Sequence, residues 1–264
     1  MTLSLVKAHA YGNDFLLLPH PPSHLADAAD LARHVCDRHR GIGADGLILV
    51  DRTPDGARTR LWNADGSQPE VSGNGTRCVG AWLVAQTSAS AGARFTVDTE
   101  AGPKRLELTA IDGPRLTFRA EMGPPTELRR QRLDVGGESL DVVVLRVGNP
   151  QCVVLGPATA ERLHRIGSAL AVHPFFPHGT NVELVSVEAP NRVQILIWER
   201  GVGPTEASGT GACASAVAAA AFGGAQRAVD VISPGGTQRV EWTDETIWLT
   251  GWAEIVAEVE WFGA

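Results

Sequence analysis

The sequence predicts an α/β protein built from two related halves, and three observations predict it. Short runs of aliphatic and β-branched residues recur along the whole chain. Two helical segments are apolar almost all round. Each of those segments follows nearly the same phrase, "PEVSGNGTRCVGAW" around Ser72 and "TEASGTGACASAVA" around Ser208. At 264 residues the chain has the length of one large domain or two ordinary ones.

The strand-like runs are FLLLP, GLILVDR, TRLWN, RFTVDTE, RLELTAI, RLTFRAEM, LDVVVLRVG, QCVVLG, NVELVSVE and RVQILIWE, each bounded by Gly, Pro, Asp or Asn. DAADLARHVCDRH has an Asp-rich start and apolar residues at helical spacing, so it predicts a helix. PATAERLHRIGSALAV predicts a second, with Thr159 as N-cap and Glu161 in the first turn. GTRCVGAWLVAQ and GACASAVAAAAFGG have no polar face, which predicts helices buried on all sides, the latter stopped by Gly223-Gly224. No linker or low-complexity stretch divides the halves. The seam is expected at the Gly-Pro-Pro near Pro124 and Pro125. That gives one domain over 1–124 with the strand-like tail 251–264 returning to it, and a second over 125–250.

A net charge of −7 without any basic stripe argues against a nucleic-acid partner. No apolar run approaches the roughly 20 residues that span a bilayer, and MTLSLVKAHAYGNDF lacks the apolar core and cleavage site of a signal peptide, so a cytoplasmic protein is expected. Cys36, Cys78, Cys152 and Cys213 form no CxxC pair and have no histidine at ligand spacing; they read as buried reduced thiols. Neither a metal set nor a pyridoxal lysine motif is visible, so no cofactor and no metal is expected. GIGADG (Gly41 to Gly46) fits G-x-G-x-x-G, yet it follows a helix and leads into a strand, the reverse of a dinucleotide-binding turn.

The two phrases align at one constant offset of 136 residues: Trp62 on Trp198, Glu70 on Glu206, Ser72 on Ser208, Gly73 on Gly209 and Gly75 on Gly211. Five coincidences without a gap, each set followed by the same kind of helix, indicate an internal duplication. Gly-x-Gly lets a backbone approach a ligand closely, and a helix N-terminus offers N–H groups and a positive dipole end. Two such termini facing one cleft would cradle a carboxylate, with Ser72 and Ser208 reaching in from opposite sides. That is the arrangement a two-base proton swap at an α-carbon requires. The plain alternative, turns that merely open core helices, suffices for either phrase alone. The pair, flanked by Asn63, Glu199 and Arg200, reads as a site.

The chain resembles diaminopimelate epimerases, within the cofactor-independent racemase superfamily that includes proline racemase. The resemblance runs nearly end to end through GNDF, GIGADG, NADGS, GNGTRC, GNP, HPFFPHGTNVE, WERG and GTGACA. It implies two pseudo-symmetric α/β domains, each a curled, mainly antiparallel sheet around a central buried helix, with the active site in the interdomain cleft. It also implies that Asn63, Asn181, Glu199 and Arg200 hold the non-reacting amino-acid end of the substrate. Asn13 and Asn149 then belong to the reacting pocket, and Gly73, Asn74, Gly209 and Thr210 cradle the carboxylate. Arg200 suits bidentate carboxylate recognition and Glu199 suits an ammonium.

Three positions depart from the family. Ser72 and Ser208 stand where the family has its two catalytic cysteines, and Gln151 stands where the family usually has a histidine. A thiol at a helix N-terminus readily yields a thiolate; a serine hydroxyl is a far weaker acid, and no neighbouring histidine activates it here. Two accounts stand. Either both cysteines have been exchanged for serine in an epimerase, or this is a natural paralogue with changed chemistry, with Glu70 or Glu206 as candidate base. The expected function is cofactor-independent epimerisation of diaminopimelate or a similar amino acid, impaired by serine at both base positions. The alternatives are a superfamily isomerase of another acid and a ligand-binding pseudoenzyme. The expected partner is a small-molecule amino acid, with no nucleic acid and no membrane, and the assembly a monomer or homodimer.

Overall fold

The computed structural model describes residues 2–22, 25, 27–69 and 72–263. In chain order it forms β1 (Leu3–Ala10), β2 (Asn13–Pro19), α1 (Ala28–Val35), β3 (Gly46–Thr53), β4 (Gly56–Asn63), α2 (Gly73–Thr87), β5 (Arg94–Thr99), β6 (Gly102–Asp112) and β7 (Arg115–Gly123). There follow β8 (Thr126–Val135), β9 (Glu138–Val147), β10 (Asn149–Leu155), α3 (Ala160–Ala171), β11 (Asn181–Ala189), β12 (Arg192–Glu199), β13 (Gly203–Thr205), α4 (Gly209–Phe222), β14 (Ala228–Ser233), β15 (Gly236–Trp242) and β16 (Ile247–Trp261). The chain separates into two compact units: Met1–Ala120 with Gly251–Ala264, and Glu121–Thr250. The division falls inside β7, a few residues before Pro124, and again inside β16. No described helix is long and apolar enough to cross a membrane.

In unit 1 the strands run β1-β2-β3-β4-β5-β6-β7, and β16 adjoins β7 while pairing antiparallel with β1. The strands therefore close on themselves, and α2 lies against β1, β2, β4, β5 and β6. In unit 2 the corresponding order is β9-β10-β11-β12-β14-β15, continued by the first part of β16, with β8 added beside β9. Here α4 lies against β9, β10, β11, β12, β14 and β15. The parallel pairs recur as well: β2 with β3 and β4 with β5 in unit 1, β10 with β11 and β12 with β14 in unit 2. The topology thus repeats strand by strand, as the duplicated phrase requires.

Both central helices are buried because their sequences have no polar face to turn to water. From Gly73 to Val84 every residue of α2 is buried, as is every residue of α4 from Gly209 to Ala219. The outer faces of the strands carry the other two helices, which are amphipathic. α3 buries Leu163, Ile166, Gly167, Leu170 and Ala171 in a core that includes Trp198, and α1 buries Ala32 and Val35 in a core that includes Trp62. The two matched tryptophans therefore pack under matched helices.

Two local features differ from the sequence pattern. The helix in DAADLARHVCDRH ends at Val35, well short of His39. The Asp37 carboxylate accepts from the backbone N–H groups of His39 and Arg40, both at 2.8 Å, a turn that competes with helix continuation. The chain then folds back so closely that a Cβ on Gly41 would meet the His34 carbonyl at 2.3 Å. TELRRQRLDV forms β8 although it carries five charged residues, because Arg130, Arg132 and Asp134 take the outward phase while Leu133 and Val135 turn into the core, and Arg129 stays exposed at the start of the strand.

Thr159 caps α3, its hydroxyl accepting from Arg162 N–H at 3.2 Å. Thr159→Ala is expected to cost about 1 kcal/mol, read as a lower denaturation midpoint with an unchanged m-value.

Candidate functional site

Ser72 and Ser208 are the N-caps of α2 and α4. Each has extended backbone dihedrals, and each hydroxyl accepts from the N–H three residues on: Gly75 at 3.0 Å and Gly211 at 3.2 Å. Serine is among the best N-cap residues, so its place in both phrases has a local structural reason. The caps take up the third N–H of each helix. The first two, from Gly73 and Asn74 and from Gly209 and Thr210, have no carbonyl within the helix to bond, as at any helix start. Ser208 is buried and Ser72 half-buried.

In unit 1, Asn13 and Asn74 come together, Asn74 Nδ2 donating to Asn13 Oδ1 at 3.0 Å. Asn13 Nδ2 in turn donates to Asp45 Oδ2 at 2.7 Å, and Arg77 Nη2 donates to Asn74 Oδ1. The direction of this chain is set at both ends. Guanidinium can only donate and carboxylate can only accept, so neither amide can turn over without losing two bonds. Asp45 is held by Arg38 at 2.8 Å, and Arg38 also holds Asp14, which Lys7 pairs at 2.9 Å. Burial works against ionisation of Asp14, but hydrogen bonds from Arg38 and Lys7 outweigh it and hold the carboxyl below its usual range. Arg77 itself is 0% exposed, under Tyr11, whose phenol is pushed up by burial against the pull of that guanidinium. Asn63 stands apart from this chain at the end of β4, its Nδ2 donating to Ser67 Oγ at 2.9 Å.

In unit 2, Asn149 and Gln151 lie on one face of β10, Gln151 Nε2 donating to Asn149 Oδ1 at 2.6 Å. Gln151 is fully buried, so this amide braces Asn149. Asn181 Oδ1 accepts from the backbone N–H of Arg200 at 2.9 Å, which ties the start of β11 to the end of β12. Arg200 donates to the His178 carbonyl at 3.0 Å, and both Arg200 and Glu199 are half-buried. Asn149, Asn181, Glu199, Arg200, Gly209 and Thr210 thus belong to one end of unit 2, around the N-terminus of α4.

The duplication reaches further than the two phrases. Gly12-Asn13 matches Gly148-Asn149 at the same offset, both glycines with positive φ (86° and 77°). Asn13 and Asn149 are therefore counterparts. The offset also exposes two breaks in the symmetry that the sequence reading missed. Arg77 falls on Cys213. The second break lies one residue off that offset: the strand registers (Ile48 opposite Leu61 and Leu17, Glu183 opposite Ile197 and Val153) make Glu183 the counterpart of Ile48, a spacing of 135. A carboxylate inside the apolar run NVELVSVE, in phase with Asn181, is the signal that points to it.

Glu183 is 0% exposed, and neither carboxylate oxygen has a hydrogen-bond partner among the described residues. Burial, reinforced by the charge of Glu199, pushes its carboxyl well above the usual carboxylate range. Of the other candidate bases, Glu206 is exposed and Glu70 lies outside the described residues. All four cysteines are buried and unbridged. Burial pushes the Cys78 thiol up to about 12, so it supplies no thiolate at neutral pH. No group of three or more metal-ligating side chains occurs among the described residues.

The raised Glu183 carboxyl makes a signed prediction. Well below the usual glutamate range, near a pKa of about 4.3, folded and unfolded chains both hold the proton. As pH rises through that range the unfolded chain ionises first, so the folded protein loses stability until its own carboxyl titrates. Glu183→Gln removes this loss. The thermal midpoint of the variant, relative to wild type, is expected to climb from about pH 4 to pH 7; an equal difference at both pH values would refute the assignment.

The diaminopimelate epimerase family model matches residues 5–128 and 143–256. The chain is 41% identical over 287 aligned positions to a diaminopimelate epimerase of Desulforudis audaxviator, covering 99% of this chain and 100% of that one. It is 40% identical to one from Desulfitobacterium hafniense, covering 96% of each. Among solved structures, a probable proline racemase from Agrobacterium radiobacter K84 superposes with a TM-score of 0.76 at 19% identity, over 97% of this chain and 92% of that one; this shows the fold alone. With strand order, central helices and both phrases in place, the sequence matches show that this chain belongs to the diaminopimelate epimerase family.

Proposed function

We propose that the chain epimerises diaminopimelate, or a similar amino acid with a second amino-acid end, by two-base exchange of an α-proton without a cofactor. Ser72 and Ser208 take the two proton-transferring positions. The observation that carries the reading is the repetition, at one offset, of a capped helix start with a matched asparagine beside it: Asn13 with α2, Asn149 with α4. The helix-start N–H groups of Gly73, Asn74, Gly209 and Thr210 suit the reacting carboxylate, where they and the helix dipoles stabilise the charge that develops as the α-proton leaves. Asn63, Asn181, Glu199 and Arg200 suit the distal end, with Arg200 for its carboxylate and Glu199 for its ammonium.

Serine makes this a slow enzyme. A hydroxyl is a weaker acid than a thiol, so the basic form that removes an α-proton is scarcer. Proton–deuterium exchange at the α-carbon of LL-diaminopimelate in heavy water, followed by NMR, tests the reading. The Ser72→Cys/Ser208→Cys variant is expected to exchange and epimerise at least about 10²-fold faster than wild type. Arg200→Ala is expected to raise KM about 10–100-fold with a smaller change in kcat, since it removes a charged hydrogen bond from the non-reacting end. Diaminopimelate that raises the thermal midpoint without exchanging in either form would leave a ligand-binding protein. A substrate that neither binds nor exchanges would turn the assignment to another acid.

A further inference from the structure

The two serine caps have the same backbone setting and different backing. Behind Ser72, a Cβ built on Gly75 would stand 2.9 Å from Ile48 Cδ1 and 3.4 Å from Ser72 Oγ. Behind Ser208, a Cβ built on Gly211 would stand 2.8 Å from Glu183 Oε1 and 3.2 Å from Ser208 Oγ. The same point in each unit is therefore shared by the cap hydroxyl and one inward side chain from the third strand of the repeat. That side chain is apolar in unit 1 and carboxylic in unit 2. Glu100, which lines the small pocket that includes Ser72 and Ile48, is exposed to water.

Packing does not call for a carboxyl at this position, because Ile48 fills its counterpart. An unpartnered buried carboxyl destabilises the fold, so its presence asks for another reason. Its surroundings supply one. Ser208 Oγ accepts from Gly211, and no hydrogen bond among the described residues uses its hydrogen. Across Gly211 from it lies Glu183 Oε1, and neither oxygen of that carboxyl has a donor among the described residues. One group lacks an acceptor and the other lacks a donor, with only a glycine between them.

We propose that Glu183 is a positioning residue for Ser208, exchanging a proton with its hydroxyl, and that proton transfer in this protein is consequently one-sided. This rests on the reading that Ser208 holds a proton-transferring position. In the forward stroke the substrate Cα–H bond breaks and its electron pair stays on the substrate. Ser208 Oγ takes that proton while its own hydroxyl proton passes to the Glu183 carboxylate. The reverse stroke runs both transfers backward, and it delivers deuterium to the α-carbon where the Ser208 hydroxyl has meanwhile exchanged with heavy water. Ser72 has Ile48 behind it and, among the described residues, no buried carboxyl in the place of Glu183, so it exchanges its proton with water. The ionisable groups around Glu183 are few. β12 contributes Glu199 and β10 contributes Cys152, whose thiol is pushed up by burial and by Glu183 itself. α4 carries no charged side chain.

The experiment compares wild type, Glu183→Gln and Glu183→Ile with LL- and meso-diaminopimelate in heavy water. NMR follows α-deuteration, chiral chromatography follows configuration, and thermal unfolding is measured with and without substrate. One of the two isomers is expected to take up deuterium about 10-fold faster than it changes configuration. That wash-in should fall about 10²-fold in both variants through kcat, with KM and the substrate-induced thermal shift retained. The acid limb of its pH profile should vanish with the carboxyl, and Glu183→Ile, the residue of the sister unit, should raise the thermal midpoint. Equal wash-in from both isomers, or wash-in untouched by both substitutions, overturns the inference. Wild type that binds diaminopimelate but exchanges neither isomer overturns it while leaving recognition intact. Absence of binding instead rejects the proposed substrate, and this inference with it.

Discussion

A helix buried on every side can meet a ligand only at its ends. α2 and α4 are of this kind, and much of the architecture follows from housing them. Their flanks are closed off by strands whose inward residues must be apolar and whose backbone groups must pair with one another. That leaves the first turn as the place where N–H groups point outward with no carbonyl to bond. The residue just before that turn is then both a structural cap and the side chain nearest any group the N-terminus attracts. Ser72 and Ser208 occupy that place in their two units, each as the cap of its helix.

The drift is confined and chemically readable. In unit 1 the polar groups run from the helix to β1, β2 and the loop between α1 and β3. Arg77 inside α2 starts a one-way chain of hydrogen bonds through Asn74 and Asn13 to Asp45, and the Arg38–Asp14–Lys7 cluster anchors its far end. In unit 2, Cys213 replaces that arginine; Asn149 keeps the place of Asn13, and Gln151, Asn181 and Glu183 add buried polar groups on β10 and β11. The first arrangement links arginine, two amides and a carboxylate by hydrogen bonds that fix the direction of both amides. The second leaves a carboxyl without a donor among the described residues. Linked polar groups hold one another in place, whereas an unpartnered buried acid holds a proton more readily than water-exposed carboxylates do. Two halves of one ancestry have thus acquired different electrostatic characters around the same backbone geometry.

Features that depend on neighbours along the chain were legible before any fold was known. Apolar residues on all faces of two segments made them core helices, Thr159 marked the start of α3, and the constant offset revealed the repeat. Strands with aliphatic runs were legible, while β8, whose outward side chains are charged, was not. The start of each central helix was legible from its Gly-x-Gly, but that Ser72 and Ser208 cap those helices came from the structure. Asn13, Asn149 and the Asn63, Asn181, Glu199 and Arg200 set were named through the family resemblance.

What stands behind each cap emerged from the packed fold. Glu183 is a single acidic letter in a strand-forming run, and Arg77 a single basic letter in a helical one. Their burial, their partners and the lack of them arise from strand registers and helix packing that join residues far apart in the chain. A charge costs little in water and much in a closed core. The meaning of these two residues was therefore set by the walls folded around them, which no local stretch of sequence contains.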